Sequence, residues 1–169
     1  MLNKTDSLSL DEVHGKPGYL FRRMQQIAVA LFMEECAEFD LTPVQYAALA
    51  AIRAYPGIDA TRLSAVIAFD RSTLGSVIER LESKAYIERR HSPRDKRIKL
   101  LYPAKAGAAV LRDIMPAVDR AQARMLQPLK TADRRMLLAL LATLVDLNNE
   151  ASRAPLRAED AVEHLAKSR

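Results

Sequence analysis

The sequence predicts a mainly α fold interrupted by one small β-hairpin. Three observations carry that expectation. Apolar residues recur at helical spacing along most of the 169 residues. Helix-start signals stand at Thr42-Pro43-Val44-Gln45, at Asp59 and at Asp70. After Lys84 the period changes, and two short β-compatible runs flank a cluster of turn formers.

The first helix runs from Pro17 to about Glu38, with Leu20, Met24, Ile27 and Leu31 on one stripe and Phe21, Ala28 and Phe32 widening it. Thr42, Pro43 and Gln45 form a capping box with proline at the first helical position. That second helix stops at Tyr55-Pro56-Gly57. Asp59 caps a short helix carrying Leu63, Val66 and Ile67, and Phe69-Asp70 interrupts it. Asp70 caps a further helix from Arg71 to about Lys84, which completes a helix-turn-helix arrangement. The runs 86–90 and 98–102, joined by Ser92-Pro93-Arg94-Asp95-Lys96, read as a hairpin wing. Helical period returns from Ala104 with Leu111, Ile114, Val118 and Met125 on one face, and Pro116 should bend that helix. Thr131 caps a last long helix to about Asn149, apolar nearly all round, and the polar tail places a short helix near Glu159–Lys167.

Composition narrows the class. A hydrophobic share of 49% and a charged share of 28% fit a soluble globular protein. The start MLNKTDSLSLDEVHG has no apolar core run, so no signal peptide is expected, and no stretch nears the roughly eighteen apolar residues of a membrane span. A lone Cys36 excludes an internal disulfide framework and fits a reducing cytoplasm. One Cys and three His are too few for a structural zinc site, and no cofactor is expected. Nor is there a nucleophile–base motif or a phosphate-cradling glycine loop, which argues against an enzyme.

Net charge is +5, a mild excess whose placement matters more than its size. On the helix after Asp70, Leu74, Val77, Ile78 and Leu81 must face the core. The opposite face collects Ser72, Gly75, Ser76, Glu79 and Ser83, flanked by Thr73 and Arg80, with Arg71 in the first turn. Small hydroxyl-bearing residues let such a helix enter a major groove about 12 Å wide and bond base edges and phosphates. The hairpin that follows concentrates Arg89, Arg90, Arg94, Lys96, Arg97 and Lys99, opposed only by Asp95. Arginine suits a narrow minor groove, and Asp95 can fix an arginine's direction. Helix and wing together point to double-stranded DNA.

These residues resemble those of the MarR winged-helix regulators. The run from Asp70 to Arg90, then Asp95-Lys96-Arg97, Lys99-Leu100-Leu101 and Gly107, carries the likeness over about residues 17–150. Pro103-Ala104 departs from the Leu-Thr usual there, which removes a helix cap. The resemblance implies that Ser72, Thr73, Ser76 and Arg80 approach the major groove and Arg97 the minor groove. It also implies a single unit, 1–169, in which 42–102 is the winged helix-turn-helix, 17–40 and 104–150 pair two copies, and 151–169 is a tail. Exposed apolar helices at both ends argue for the same homodimer, which presents two reading helices about 34 Å apart to a pseudo-palindromic operator.

Regulators of this family are similar in sensing small, often anionic aromatic compounds. Here the resemblance implies a repressor released by such an acid, with His14, Tyr19, Arg22, Arg23, Gln26 and Tyr46 offering a ring surface and an arginine fork for a carboxylate. The stretch Gly18–Gln26 is similar to family members governing aromatic-acid catabolism, so a nicotinate derivative is one expected effector. Two rivals stand beside this reading. Cys36 offers a redox switch, although Glu34, Glu35 and Glu38 nearby would raise its pKa. A winged-helix module that binds only protein would have no use for the arginine-rich hairpin.

Overall fold

Capping side chains set where four of the described helices begin. The computed structural model describes residues 9–157. Ser9 Oγ accepts from the Glu12 N–H at 3.2 Å and the Glu12 carboxylate accepts from the Ser9 N–H at 2.9 Å. This box starts a one-turn helix, α1 (Leu10–His14), absent from the sequence expectation. Helix α2 (Pro17–Glu35) ends earlier than the expected Glu38. There the chain tightens into a 3-10 turn, Ala37–Phe39, and leaves through Asp40 at φ 48, a left-handed conformation that cannot extend a helix.

The predicted box opens α3 (Pro43–Ala54): Thr42 Oγ accepts from the Gln45 N–H, and Gln45 Oε1 accepts from the Thr42 N–H at 3.1 Å. Gln45 is thereby buried with its amide oxygen satisfied. Gly57, at φ 88, then turns the chain so that its N–H reaches the Leu101 carbonyl at 2.8 Å. The next two residues form a strand, β1 (Ile58–Asp59), before Asp59 caps α4 (Ala60–Val66) through the Thr61 and Arg62 N–H groups. Asp70 caps α5 (Arg71–Ser83) as expected.

The wing is larger than a hairpin. Strands β2 (Ile87–His91) and β3 (Lys99–Pro103) lie one residue beyond the runs read from the sequence. They join β1 in an antiparallel sheet of order β1-β3-β2, with Ile58 opposite Leu101 and Arg89 opposite Leu101 on the other side. β1 shows no alternation of its own, so only its pairing partner defines it.

Between α5 and β2 the helix closes in a Schellman motif. The Tyr86 N–H reaches the Leu81 carbonyl and the Ala85 N–H the Glu82 carbonyl, with Ala85 at φ 55 where glycine is usual. The Tyr86 carbonyl then accepts from the Ala104 N–H at 2.9 Å. This brings it so close to Gly107 that a Cβ there would overlap it. Helix α6 (Lys105–Leu126) thus starts against the wing's root with no side-chain cap, as the missing threonine implied. It passes through Pro116 as one helix and buries Leu111, Ile114, Ala117 and Ala121.

Helix α7 (Thr131–Leu147) corrects the expectation at both ends. Lys130, not Thr131, holds the N-cap position without a side-chain bond, and the helix stops at Leu147 rather than Asn149. Arg134 donates to the Leu129 and Gln127 carbonyls, which ties the first turn of α7 to the chain leaving α6 but leaves the first N–H groups of α7 without a side-chain cap. The helix expected near Glu159–Lys167 lies outside the described residues.

The core fills the space between α3, α4, α5, the sheet and α6, around Leu49, Ile52, Leu63, Leu74, Leu81, Leu101 and Ile114. Helix α7 stands apart from it, and α2 joins it only through Phe32 near its end. No residue of α7 is buried, and Met136, Leu138, Leu140, Leu144, Val145 and Leu147 are all exposed. Along α2, Leu20, Phe21, Met24 and Ile27 are exposed too. Among the described residues no helix is long and apolar enough to cross a membrane.

Ala85 supplies a stability test. Holding an L-residue left-handed costs roughly 1–2 kcal/mol, against about 0.4–1 kcal/mol of unfolded-state freedom that glycine adds back. Ala85→Gly is therefore expected to raise unfolding free energy by a few tenths to about 1 kcal/mol in urea titrations. A loss of stability would show that Ala85 carries no strain.

Candidate nucleic-acid interface

Helix α5 is rotated by its own core face. Leu74, Val77, Ile78 and Leu81 are buried, and this leaves Arg71, Ser72, Thr73, Ser76, Glu79 and Arg80 all exposed on the far side. At its start, Asp70 Oδ1 accepts from both the Ser72 N–H at 2.8 Å and the Ser72 hydroxyl. Those bonds hold the Asp70 carboxyl below its usual value, the hydroxyl contributing most. Ser76 and Ser83 donate their hydroxyls to the Thr73 and Arg80 carbonyls, each at 2.9 Å. Both side chains lie flat on the helix and keep oxygen lone pairs turned outward, so the face is low and polar.

The wing carries the charge. Asp95 accepts from the Arg97 backbone N–H at 2.9 Å and grips its guanidinium through Nε and Nη2, both at 3.1 Å. Arg97 is nevertheless 91% exposed. A fork held on one edge leaves its other N–H groups directed into solvent, with the side chain's direction fixed in advance. The same bonds, from the Arg97 side chain first and its backbone second, hold the Asp95 carboxyl below its usual range. His91 Nδ1 closes the loop on the Lys96 carbonyl at 2.7 Å, and the Ile98 N–H reaches the Asp95 carbonyl. Arg94, Lys96 and Lys99 are exposed around this tip.

Two arginines of the run are placed otherwise. Arg89 turns back to Glu82 on α5 at 2.6 Å, tying wing to helix. Arg90 lies over the Tyr102 ring, 4.5 Å from its centroid, and pairs with Glu88 at 2.9 Å. It stands one residue before the end of β2, next to the loop. The basic run is thus divided, with Arg89 turned to α5 and Arg90 exposed on the opposite face of the strand, as alternation along β2 requires.

Near the start of α2, the His14 and Tyr19 ring centroids are 4.6 Å apart, and the Arg22 guanidinium covers the Tyr19 ring at 4.9 Å. Arg23 donates to Gln26 Oε1 at 2.9 Å. Tyr46 packs instead against Phe32, with centroids 5.9 Å apart, in the second half of α2. The structure therefore brings together His14, Tyr19 and Arg22, pairs Arg23 with Gln26, and seats Tyr46 in a separate contact.

A helix-turn-helix followed by a β wing is the arrangement that comparison with known proteins recovers. A MarR family model matches residues 39–98, from the turn before α3 to the far side of the wing. A putative transcriptional regulatory protein for the hcr operon of Thauera aromatica is 31% identical over 137 residues, spanning 80% of this chain and 82% of that one. The chain belongs to the MarR family. It is also similar to the HTH-type transcriptional repressor NicR of Pseudomonas putida, 25% identical over 83% of this chain and 89% of NicR. Among solved structures it resembles Bordetella bronchiseptica BpsR, whose DNA binding is regulated by 6-hydroxynicotinic acid. That likeness has a TM-score of 0.73 at 27% identity and spans 79% of this chain and 95% of BpsR.

This MarR-family chain keeps its one cysteine out of reach. Cys36 is 1% exposed, and burial, before any charge, pushes its thiol up, helped by Glu35 and Glu38 and opposed by Arg120. Glu34, grouped with them in the sequence, pairs with Arg124. Glu35 binds Arg120 at 2.8 Å and Arg124 at 2.6 Å, Arg120 doing most to hold its carboxyl below the usual range. This bridge from α2 to α6 escaped the sequence reading, since the partners are too far apart in the chain for any local pattern to reveal them. A raised pKa and burial predict that Cys36 reacts with DTNB in the native protein only at the rate of unfolding. Rapid labelling of folded protein would restore it as a sensor.

Proposed function

We propose that this protein is a homodimeric, sequence-specific DNA-binding repressor of the cytoplasm that leaves its operator when a small anionic aromatic acid binds. The observation that carries the reading is the pairing of an exposed α5 face with Arg97, solvent-facing yet oriented by Asp95. In this reading Arg71, Ser72, Thr73, Ser76 and Arg80 meet the major groove, and Arg97 enters the minor groove with Arg94 and Lys96 on the flanking backbone. Arg90 contributes from the end of β2, next to the loop. Relatives of similar length support it: NicR is a transcriptional repressor, and BpsR binds DNA under control of an aromatic acid.

The dimer follows from apolar area. The exposed faces of α2 and α7 together exceed what a monomer's surface ordinarily tolerates, and a second copy covers both by two-fold symmetry. We assign the effector site to His14, Tyr19 and Arg22, with the Arg23–Gln26 pair beside them on α2, while Tyr46 lies apart against Phe32. A ring stacked under a guanidinium is suited to an aromatic carboxylate, and 6-hydroxynicotinic acid is the first compound to try.

A duplex selected by the protein from a random library tests the DNA half. Arg97→Ala is expected to weaken binding and to make the dependence of log K on log salt shallower by about 1. Ser76→Glu, which sets a carboxylate against the groove, is expected to abolish binding while sedimentation still shows a dimer. Normal binding by that variant would remove α5 from the interface. For the effector half, 6-hydroxynicotinic acid should raise Tm and release the duplex in wild type, and Arg22→Ala should blunt both. If neither it nor other aromatic acids shifts Tm, the ligand assignment fails.

A further inference from the structure

Beyond α7 the chain folds back on itself. The Asn149 side chain accepts from the Leu156 N–H at 2.8 Å and donates to the Leu156 carbonyl at 3.2 Å. Glu150 holds the Arg157 guanidinium with both oxygens. These bonds close residues 149–157 into a clasp, and the Arg157 N–H pins it by donating to the Ala65 carbonyl at 2.9 Å. Ala65 lies in the last turn of α4, where a helix leaves carbonyls without internal partners, so the clasp satisfies a group that α4 cannot.

At the crest of the clasp stands Arg153. One of its nitrogens lies 3.4 Å from Asp70 Oδ2, and the side chain is 91% exposed. Such a long, solvated pair does little for folding, so stability does not account for its placement. Its position does. Asp70 is indispensable as the cap of α5, yet it sets a negative charge at the edge that leads into Arg71, Ser72 and Thr73. Arg153 offsets that charge and keeps most of its five N–H donors turned away from the protein.

We propose that the clasp 149–157 is a further part of the DNA-binding surface, and that Arg153 contacts a backbone phosphate beside the first turn of α5. The inference rests on α5 being the reading helix, and it adds to that interface a segment from outside the winged helix. A phosphate contact positions the protein without reading bases, so its loss weakens binding to every sequence alike.

The test uses the full chain, a duplex selected from a random library and a random-sequence duplex of equal length, with anisotropy followed against salt. Arg153→Gln should lower affinity in equal proportion on both duplexes and make the log–log salt slope shallower by about 0.9. Arg153→Lys should restore the slope, which a purely geometric role at the cap would not require. Asn149→Ala, which opens the clasp without touching its charge, should lose the contact as Arg153→Gln does. An unchanged slope in Arg153→Gln overturns the proposal. Arg97→Ala is the control: if its slope is unchanged too, the assignment of the DNA face itself falls.

Discussion

The burial of Leu74, Val77, Ile78 and Leu81 fixes more of this molecule than any other contact. A helix can present only one face outward, and these four side chains determine which. They pack against α3, α4 and the sheet, so the azimuth of α5 is set by the core rather than by anything on its polar side. The polar face is then free to be small, hydroxylated and conformationally simple. The Schellman turn through Ala85 brings the chain directly into β2, so the same core registers the wing against the helix. Arg89 reinforces the register from the wing's side by pairing with Glu82.

Charge placement follows the same economy. Besides Glu82 and Glu88, which pair with Arg89 and Arg90, the acidic groups of α5 and the wing are Asp70, Glu79 and Asp95, and the two aspartates have a structural office. Asp70 caps α5 and Asp95 aims Arg97; in each case the carboxylate is engaged by local donors and its pKa is held down by them. An anion saturated by donors repels a phosphate less than a bare one, while the order it imposes remains. Glu79 has no such engagement described, and on an exposed reading face it suits a base-edge donor such as the cytosine amino group.

The parts of the fold that local chemistry specifies were legible in the sequence. Thr42-Pro43-Val44-Gln45, Asp59 and Asp70 each begin a helix where their capping chemistry says, and the apolar spacing of α5 gives its buried face without error. What failed to show depends on partners distant in the chain. β1 exists because Leu100 and Leu101 come to meet it. The Glu35 bridge to Arg120 and Arg124, the clasp on Ala65 and the inward turn of Arg89 are tertiary facts with no local signature. Two further misses were readable after all. Ser9 and Glu12 form a capping box as regular as the one at Thr42, and Thr131 was misread as a cap, since Lys130 holds that position and no side chain caps it.

The two apolar helices at the ends of the chain connect this geometry to regulation. Each is followed by a segment that returns to an end of α5. After α2, Asp40 accepts from Lys84 Nζ at 2.7 Å, at the C-cap of α5. After α7, the clasp reaches Asp70 at the N-cap. Both ends of α5 thus carry an ion pair to chain that continues from an exposed apolar helix. Helix α2 also reaches the core directly through Phe32 and is tied to α6 by the Glu35 bridge. A displacement of α2 would therefore be felt by α5 through packed side chains first, since solvated pairs such as Lys84 with Asp40 yield at small cost.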